Sequence, residues 1–197
     1  MTLPVQAALG TDWDRLAPAL RQFHSGGTHH GRAEVTRGAG RLAALTAWAF
    51  RFPPAGRDVP VAVAVRPTPR GETWERDFGG HRLVSEITLA GPGRLRERFG
   101  PARFLLALVR EGAGLRLEIL SGTLFGLPIP RALLPVTEAR EHAEAGRFAF
   151  DIAIAAPLVG RIVHYRGWLE PVDAGPPAMA EQGDQPGGPH GDQSSDL

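Results

Sequence analysis

The chain has 197 residues and a formal net charge of +1 at pH 7, the length of one domain and no basic excess of the kind that nucleic-acid binding needs. It contains no cysteine, which excludes disulfides, thiolate nucleophiles and cysteine-held zinc. All 22 basic residues are arginine, which removes Schiff-base chemistry on a lysine.

Met1 to Leu9 has no basic segment ahead of a long apolar run, so no secretory signal is read there. Thr11-Asp12-Trp13-Asp14 predicts a helix start, after which Trp13, Leu16, Ala17, Leu20 and His24 share one face at helical spacing. Ser25-Gly26-Gly27 stops that helix. His29 and His30 fall in a segment that reads as a loop, and Val35-Thr36-Arg37 reads as a short strand ended by Gly38-Ala39-Gly40. Arg41 to Phe52 predicts a second helix, apolar nearly all round and therefore expected to be buried, until Pro53-Pro54 breaks it. Its core, Leu42 to Phe50, is too short to cross a bilayer. The expectation is a soluble, cytoplasmic protein without a membrane span.

From residue 59 the pattern switches to short strands at 59–66, 72–78, 81–89, 94–99, 103–110, 115–124, 137–144, 147–155 and 162–169, divided by Gly or Pro. Residues 126–130 form a rigid connection before a short turn at 131–134. Repeated short strands with turn signals predict a mainly β fold, an antiparallel barrel-like or strongly curved sheet with one or two N-terminal helices packed on it. The globular domain is expected to occupy 1–171. Residues 172–197 are rich in Gly, Pro, Gln, Ser and Asp and read as a disordered tail.

Strand alternation assigns faces. Trp74 and Phe78 should point inward and carry Arg76 with them. Leu95 and Phe99 do the same for Glu97, and Leu83, Ile87 and Leu89 for His81 and Ser85. Glu141 shares the less polar face of its strand with Ala139 and Ala143. A buried charge is costly unless paired, so Arg76 is expected to pair with Glu97, Glu141 or both. Three roles fit such a cluster: a salt-bridge network closing one end of the barrel, a polar anchor inside a ligand cavity, or a general acid/base site. Tyr165 can offer a hydroxyl to the same interior. Ser85, Gly122, Ala143 and Gly167 interrupt the bulky positions and are expected to leave space.

His24, on its apolar helix face, reads as a packed, hydrogen-bonded histidine. His29, His30 and Glu34 have no regular metal-ligand scaffold, so no metal is expected. Gly38-Ala39-Gly40 lacks the third glycine of a dinucleotide fingerprint, and no cofactor is expected. Neither Ser85 nor Ser121 has a nucleophile-elbow context.

Val35-Thr36-Arg37-Gly38-Ala39-Gly40, Trp74-Glu75-Arg76-Asp77-Phe78, Glu97-Arg98-Phe99-Gly100, Phe125-Gly126-Leu127-Pro128-Ile129-Pro130, Arg147-Phe148-Ala149-Phe150-Asp151 and Tyr165-Arg166-Gly167-Trp168-Leu169 together resemble the bacterial family known as domain of unknown function 4166. The resemblance covers about residues 10 to 171, and the family motif contains Arg76, Glu97 and Glu141. Members occur alone or joined to a short-chain-dehydrogenase-like domain, which implies at most an accessory role beside an oxidoreductase. No such domain is present here, so no nicotinamide cofactor and no catalytic residue is carried over. The favoured role is binding a small, largely apolar molecule with one polar or acidic group. The alternatives are an enzyme using Glu97 or Glu141 as general base, and a non-catalytic accessory or interaction domain with a solid core.

Overall fold

Alternating apolar and polar residues, broken by glycine-containing turns, fold this chain into a meander that closes on itself. A computed structural model describes residues 2–172; the tail expected at 172–197 lies, from residue 173 on, outside them. The strands are β1 (Gly27–Arg37), β2 (Gly56–Thr68), β3 (Gly71–Phe78), β4 (His81–Gly91), β5 (Arg94–Phe99), β6 (Ala102–Glu111), β7 (Gly114–Leu124), β8 (Leu127–Pro128), β9 (Val136–Glu144), β10 (Arg147–Ala156) and β11 (Gly160–Pro171). Of these eleven, β8 is a two-residue extension beside β7, which leaves ten around the barrel. Each of the ten pairs antiparallel with its neighbours in sequence, β7 pairing with β9, and the β1–β11 pair closes the ring.

The β1–β11 seam is drawn tight. A Cβ on Gly167 would run into the Arg32 carbonyl, and one on Gly31 into that of Trp168. Gly167 is therefore required by the close approach of β1, whereas the sequence suggested that it left space in the interior. Ala143, expected to serve the same end, is exposed beside the β9–β10 turn.

Up-and-down topology gives the barrel two distinct ends. The N-terminal elements sit at the end where β1 begins: α1 (Pro4–Leu9), a 3-10 turn (Gly10–Arg15) and α2 (Pro18–His24). The Gly93 amide donates to the Ala8 carbonyl at 2.8 Å and the Ala17 amide to the Ala113 carbonyl at 2.9 Å, which pins these elements onto the β4–β5 and β6–β7 turns. Leu20 and Phe23 enter the core, and Phe23 stacks on Phe148 with ring centroids 3.9 Å apart. This end is plugged. The helix expected from Thr11 onward is split, because Pro18 holds Ala17 in an extended conformation (φ −57, ψ 145). Pro18 then opens α2, where a missing amide hydrogen does no harm.

Two further expectations are overturned. The segment with His29 and His30 is strand, not loop: β1 begins at Gly27 and puts His29 inside and His30 outside. The second helix, α3 (Arg41–Ala49), is not buried. It lies outside the completed barrel and buries only Ala43 and Ala47, leaving Leu42, Leu45 and Trp48 exposed. The remaining strand expectations agree with the observed elements to within a few residues at each end.

Candidate functional site

The barrel is not packed solid. It encloses a cavity of about 610 Å³, walled mostly by apolar side chains and reached by His24, Trp74, Arg76, Glu97, Glu141 and Tyr165. The lining continues to Phe125, Leu127 and Leu133, which are exposed, so the cavity opens at the end opposite the plug. Phe50 and Phe52, just past α3, stack with Phe99 across part of that mouth, with centroids 5.9–6.3 Å apart. Arg37 holds the segment in place by donating to the carbonyls of Phe52 and, at 2.8 Å, Pro53.

The polar side chains form two groups. Deepest, against the plug, His24 on α2 donates from Nε2 to Glu141 Oε2 on β9 at 2.8 Å, with both side chains buried. Beside them, Trp74 Nε1 donates to Glu72 Oε1 at 2.9 Å within β3. His29 completes this group through its packing on Phe23. His24 Nδ1, His29 Nδ1 and Glu72 Oε2 are buried without a protein partner among the described residues.

Nearer the mouth, Arg76 lies over the Trp74 ring, 4.7 Å from its centroid, and donates from Nη1 to Ser85 Oγ at 2.9 Å. Its Nη2 is 3.6 Å from Glu97 Oε1, an ion pair longer than a hydrogen bond. An arginine fork has five N–H donors, so several stay available to a guest. Tyr165 on β11 packs against Phe78 with centroids 5.3 Å apart.

Strand alternation thus places Arg76, Ser85, Glu97, Glu141 and Tyr165 inward as expected, with one correction, at His81, and it finds one of the two expected partners of Arg76. Arg76 pairs with Glu97 alone, because Glu141 is taken by His24 from a helix that the strand pattern does not reveal. His81 does not join the cluster: it is exposed at the first position of β4, where the inward-facing row runs out at the rim. Leu89, at the other end of the strand beside a register shift, is exposed as well. Glu72 is a further member not singled out from the sequence, although it shares the period-two face of Trp74, Arg76 and Phe78 and is among the most buried side chains.

Burial sets the titration of these groups. The Tyr165 hydroxyl is pushed up to about 12 by desolvation, with Arg76 pulling it down and Glu97 pushing it up. It therefore stays a neutral donor and acceptor at physiological pH. Burial raises Glu72 above the ordinary 4.5, against the Trp74 hydrogen bond and the charges of His24 and Arg76. Burial, then His24, lowers His29 below 6.5.

The signs follow by linkage. Glu72 contributes stability that is present below about 4.5 and lost as the pH rises through its folded value. His29 contributes stability that is present above about 6.5 and lost as the pH falls through its folded value. Glu72→Gln keeps an acceptor for Trp74 and removes the buried charge. Its stability advantage over the parent in urea titrations is expected to grow from pH 5 to pH 8. An advantage that shrinks over that range would contradict the raised carboxyl.

Among the described residues, no group of three or more His, Asp or Glu side chains is placed to hold a metal ion. No curated protein and no solved structure matches the chain. A family model matches residues 16–169, from the end of the 3-10 turn to within two residues of the end of β11 and so across nearly the whole barrel. The chain belongs to the family described as Domain of unknown function (DUF4166).

Proposed function

We propose that this domain binds one small, largely apolar molecule carrying a single polar or acidic group, held inside the barrel with Arg76 as its polar anchor. The observation that carries the reading is the apolar cavity of about 610 Å³ with Arg76 on its wall. That volume suits a small-molecule site, and an apolar wall with a few convergent polar groups is the usual make-up of one. Arg76 is held in place by Ser85 and Trp74 and is only loosely paired with Glu97. A guest carboxylate or carbonyl therefore finds an oriented donor whose side-chain freedom is already lost. A solid accessory domain would have no use for such a space. An accessory role beside an oxidoreductase is compatible with the binding reading.

Thermal-shift screening of fatty acids, polyketide-like acids and quinone- or flavin-like compounds tests it. A ligand at a hundred times its Kd adds about 2.7 kcal/mol, a rise of roughly 5–10 °C for a domain of this size. Arg76→Lys is expected to fold and to lose most of that rise, because a lysine cannot reproduce the guanidinium fork. A compound that stabilises parent and variant equally would refute the anchor, and the absence of any stabilising compound would refute the cavity reading.

One observation favours a second reading, general acid/base catalysis. His24 is oriented by a carboxylate through Nε2 while Nδ1 has no protein partner among the described residues. This arrangement suits a positioned base. Mass analysis of any bound compound after incubation decides: recovery unchanged supports binding alone, and conversion that depends on His24 supports catalysis.

A further inference from the structure

We infer that the open end of the barrel docks on an anionic lipid bilayer. Five connections lie at this end, and three of them form the docking face: the β1–β2 connection containing α3, the β7–β9 connection and the β10–β11 turn. The topology puts all three opposite the plugged end, and the chain confirms their closeness. Phe125 donates its amide to the Pro101 carbonyl of the β5–β6 turn at the same end. A Cβ on Gly40, at the start of α3, would touch Val159 of the β10–β11 turn.

Each of these three turns large apolar side chains to the outside. On α3 the order expected of a helix on a water-soluble surface is reversed: Ala43 and Ala47 face the barrel, and Trp48 is 75% exposed. Phe125 is 80% and Leu127 72% exposed on the second connection, and Leu158 is 87% exposed on the third. Apolar tips clustered at one end mark an interaction surface.

Charge chooses the occupant. Segments 41–57, 119–137 and 152–163 contain Arg41, Arg51, Arg57, Arg131 and Arg161 and no aspartate or glutamate, and Asp58, the next residue after the first segment, is paired with Arg32. All five arginines are exposed, and none lies in an ion pair among the described residues. Exposed apolar tips among unpaired arginines fit an interface of acyl chains beneath anionic headgroups. Below this end, β4 and β5 carry Glu86, Arg94, Arg96 and Arg98 on the outer face of the barrel, which keeps that part of the wall in water. The same residues also frame the cavity: Phe125 and Leu127 belong both to its lining and to the exposed patch. On the cavity reading above, an apolar guest would pass between bilayer and barrel without crossing water. Docking itself does not depend on that reading.

Co-sedimentation of the full chain with vesicles tests the inference. One set is phosphatidylcholine alone, the other phosphatidylcholine with about one third phosphatidylglycerol. The parent is expected to pellet with the anionic vesicles and to be released by salt. Arg51→Glu/Arg131→Glu should lower the partition coefficient at least about tenfold, since each basic residue near an anionic surface contributes about one kcal/mol. Trp48→Ser/Phe125→Ser should do the same with the charges intact, and both variants touch only exposed positions. Arg76→Lys should pellet like the parent, which separates docking from guest binding. The inference is overturned if the full chain ignores both vesicle types, or if it pellets equally with each. It is also overturned by a dimer in light scattering that Trp48→Ser dissolves without any vesicle binding by the parent, which would assign the face to a second copy.

Discussion

Glu141→Ala is expected to destabilise the fold by about 3–5 kcal/mol, the usual cost of removing one member of a buried hydrogen-bonded pair. Glu141 is the Nε2 partner of His24, and both side chains are almost fully buried, at 4% and 2% exposure. Without the carboxylate, both ring nitrogens of His24 would lie in the interior unpaired, since Nδ1 already has no protein partner among the described residues. Urea titration measures the effect, with Glu138→Ala on the exposed face of the same strand as a control that should shift little. The double replacement His24→Leu/Glu141→Leu should recover much of the loss, because an apolar pair of similar size needs no partner. A Glu141→Ala loss below about 1 kcal/mol would show that the pair does not hold the plug. The sequence alone pointed to Arg76 as the costly deletion. Arg76 and Glu97 are 18% and 22% exposed and 3.6 Å apart, so Arg76→Ala should cost distinctly less.

Gly167→Val is expected to be comparably severe, about 4 kcal/mol or more, and to reduce soluble yield. Its cause is steric: any Cβ at this position meets the Arg32 backbone carbonyl, and backbone cannot swing aside as a side chain can. β1 would have to move away from β11, opening the pair that closes the barrel. Gly40→Ala is the control, because its Cβ would sit 3.9 Å from the nearest atom, an ordinary contact. Thermal melts of the two variants should differ by more than ten degrees, or roughly 4 kcal/mol at this size. Equal melts would mean that the seam has room to spare.

The strands were legible because each carries its own evidence. Phe78-Gly79-Gly80-His81, for instance, ends one alternating run and begins the next across two positive-φ glycines. The same alternation placed Arg76, Ser85, Glu97 and Glu141 inside, and it would have placed Glu72 there had it been followed one step further back from Trp74. The partner of Glu141 was not legible. His24 lies 117 residues away, on a helix whose docking depends on how the ring closes. The face of α3 was hidden for a different reason: a helix apolar on every side has no pattern to say which side is buried. His81 shows the limit of period two, which gives direction across a strand but not distance from the rim.

The closing pair has a consequence for how the chain reaches this shape. Nearly every strand pairing here joins segments that follow one another, and such hairpins form within microseconds. The β1–β11 pair is different: His29 meets Pro171 and Arg37 meets Val163, so a loop of well over a hundred residues must close before any of its ladder can form. Ring closure is thus the late and slow event in folding. The species that waits for it is an open ten-stranded sheet with two unpaired edges and its apolar inner face uncovered, the form in which the chain is most prone to pair with another copy of itself.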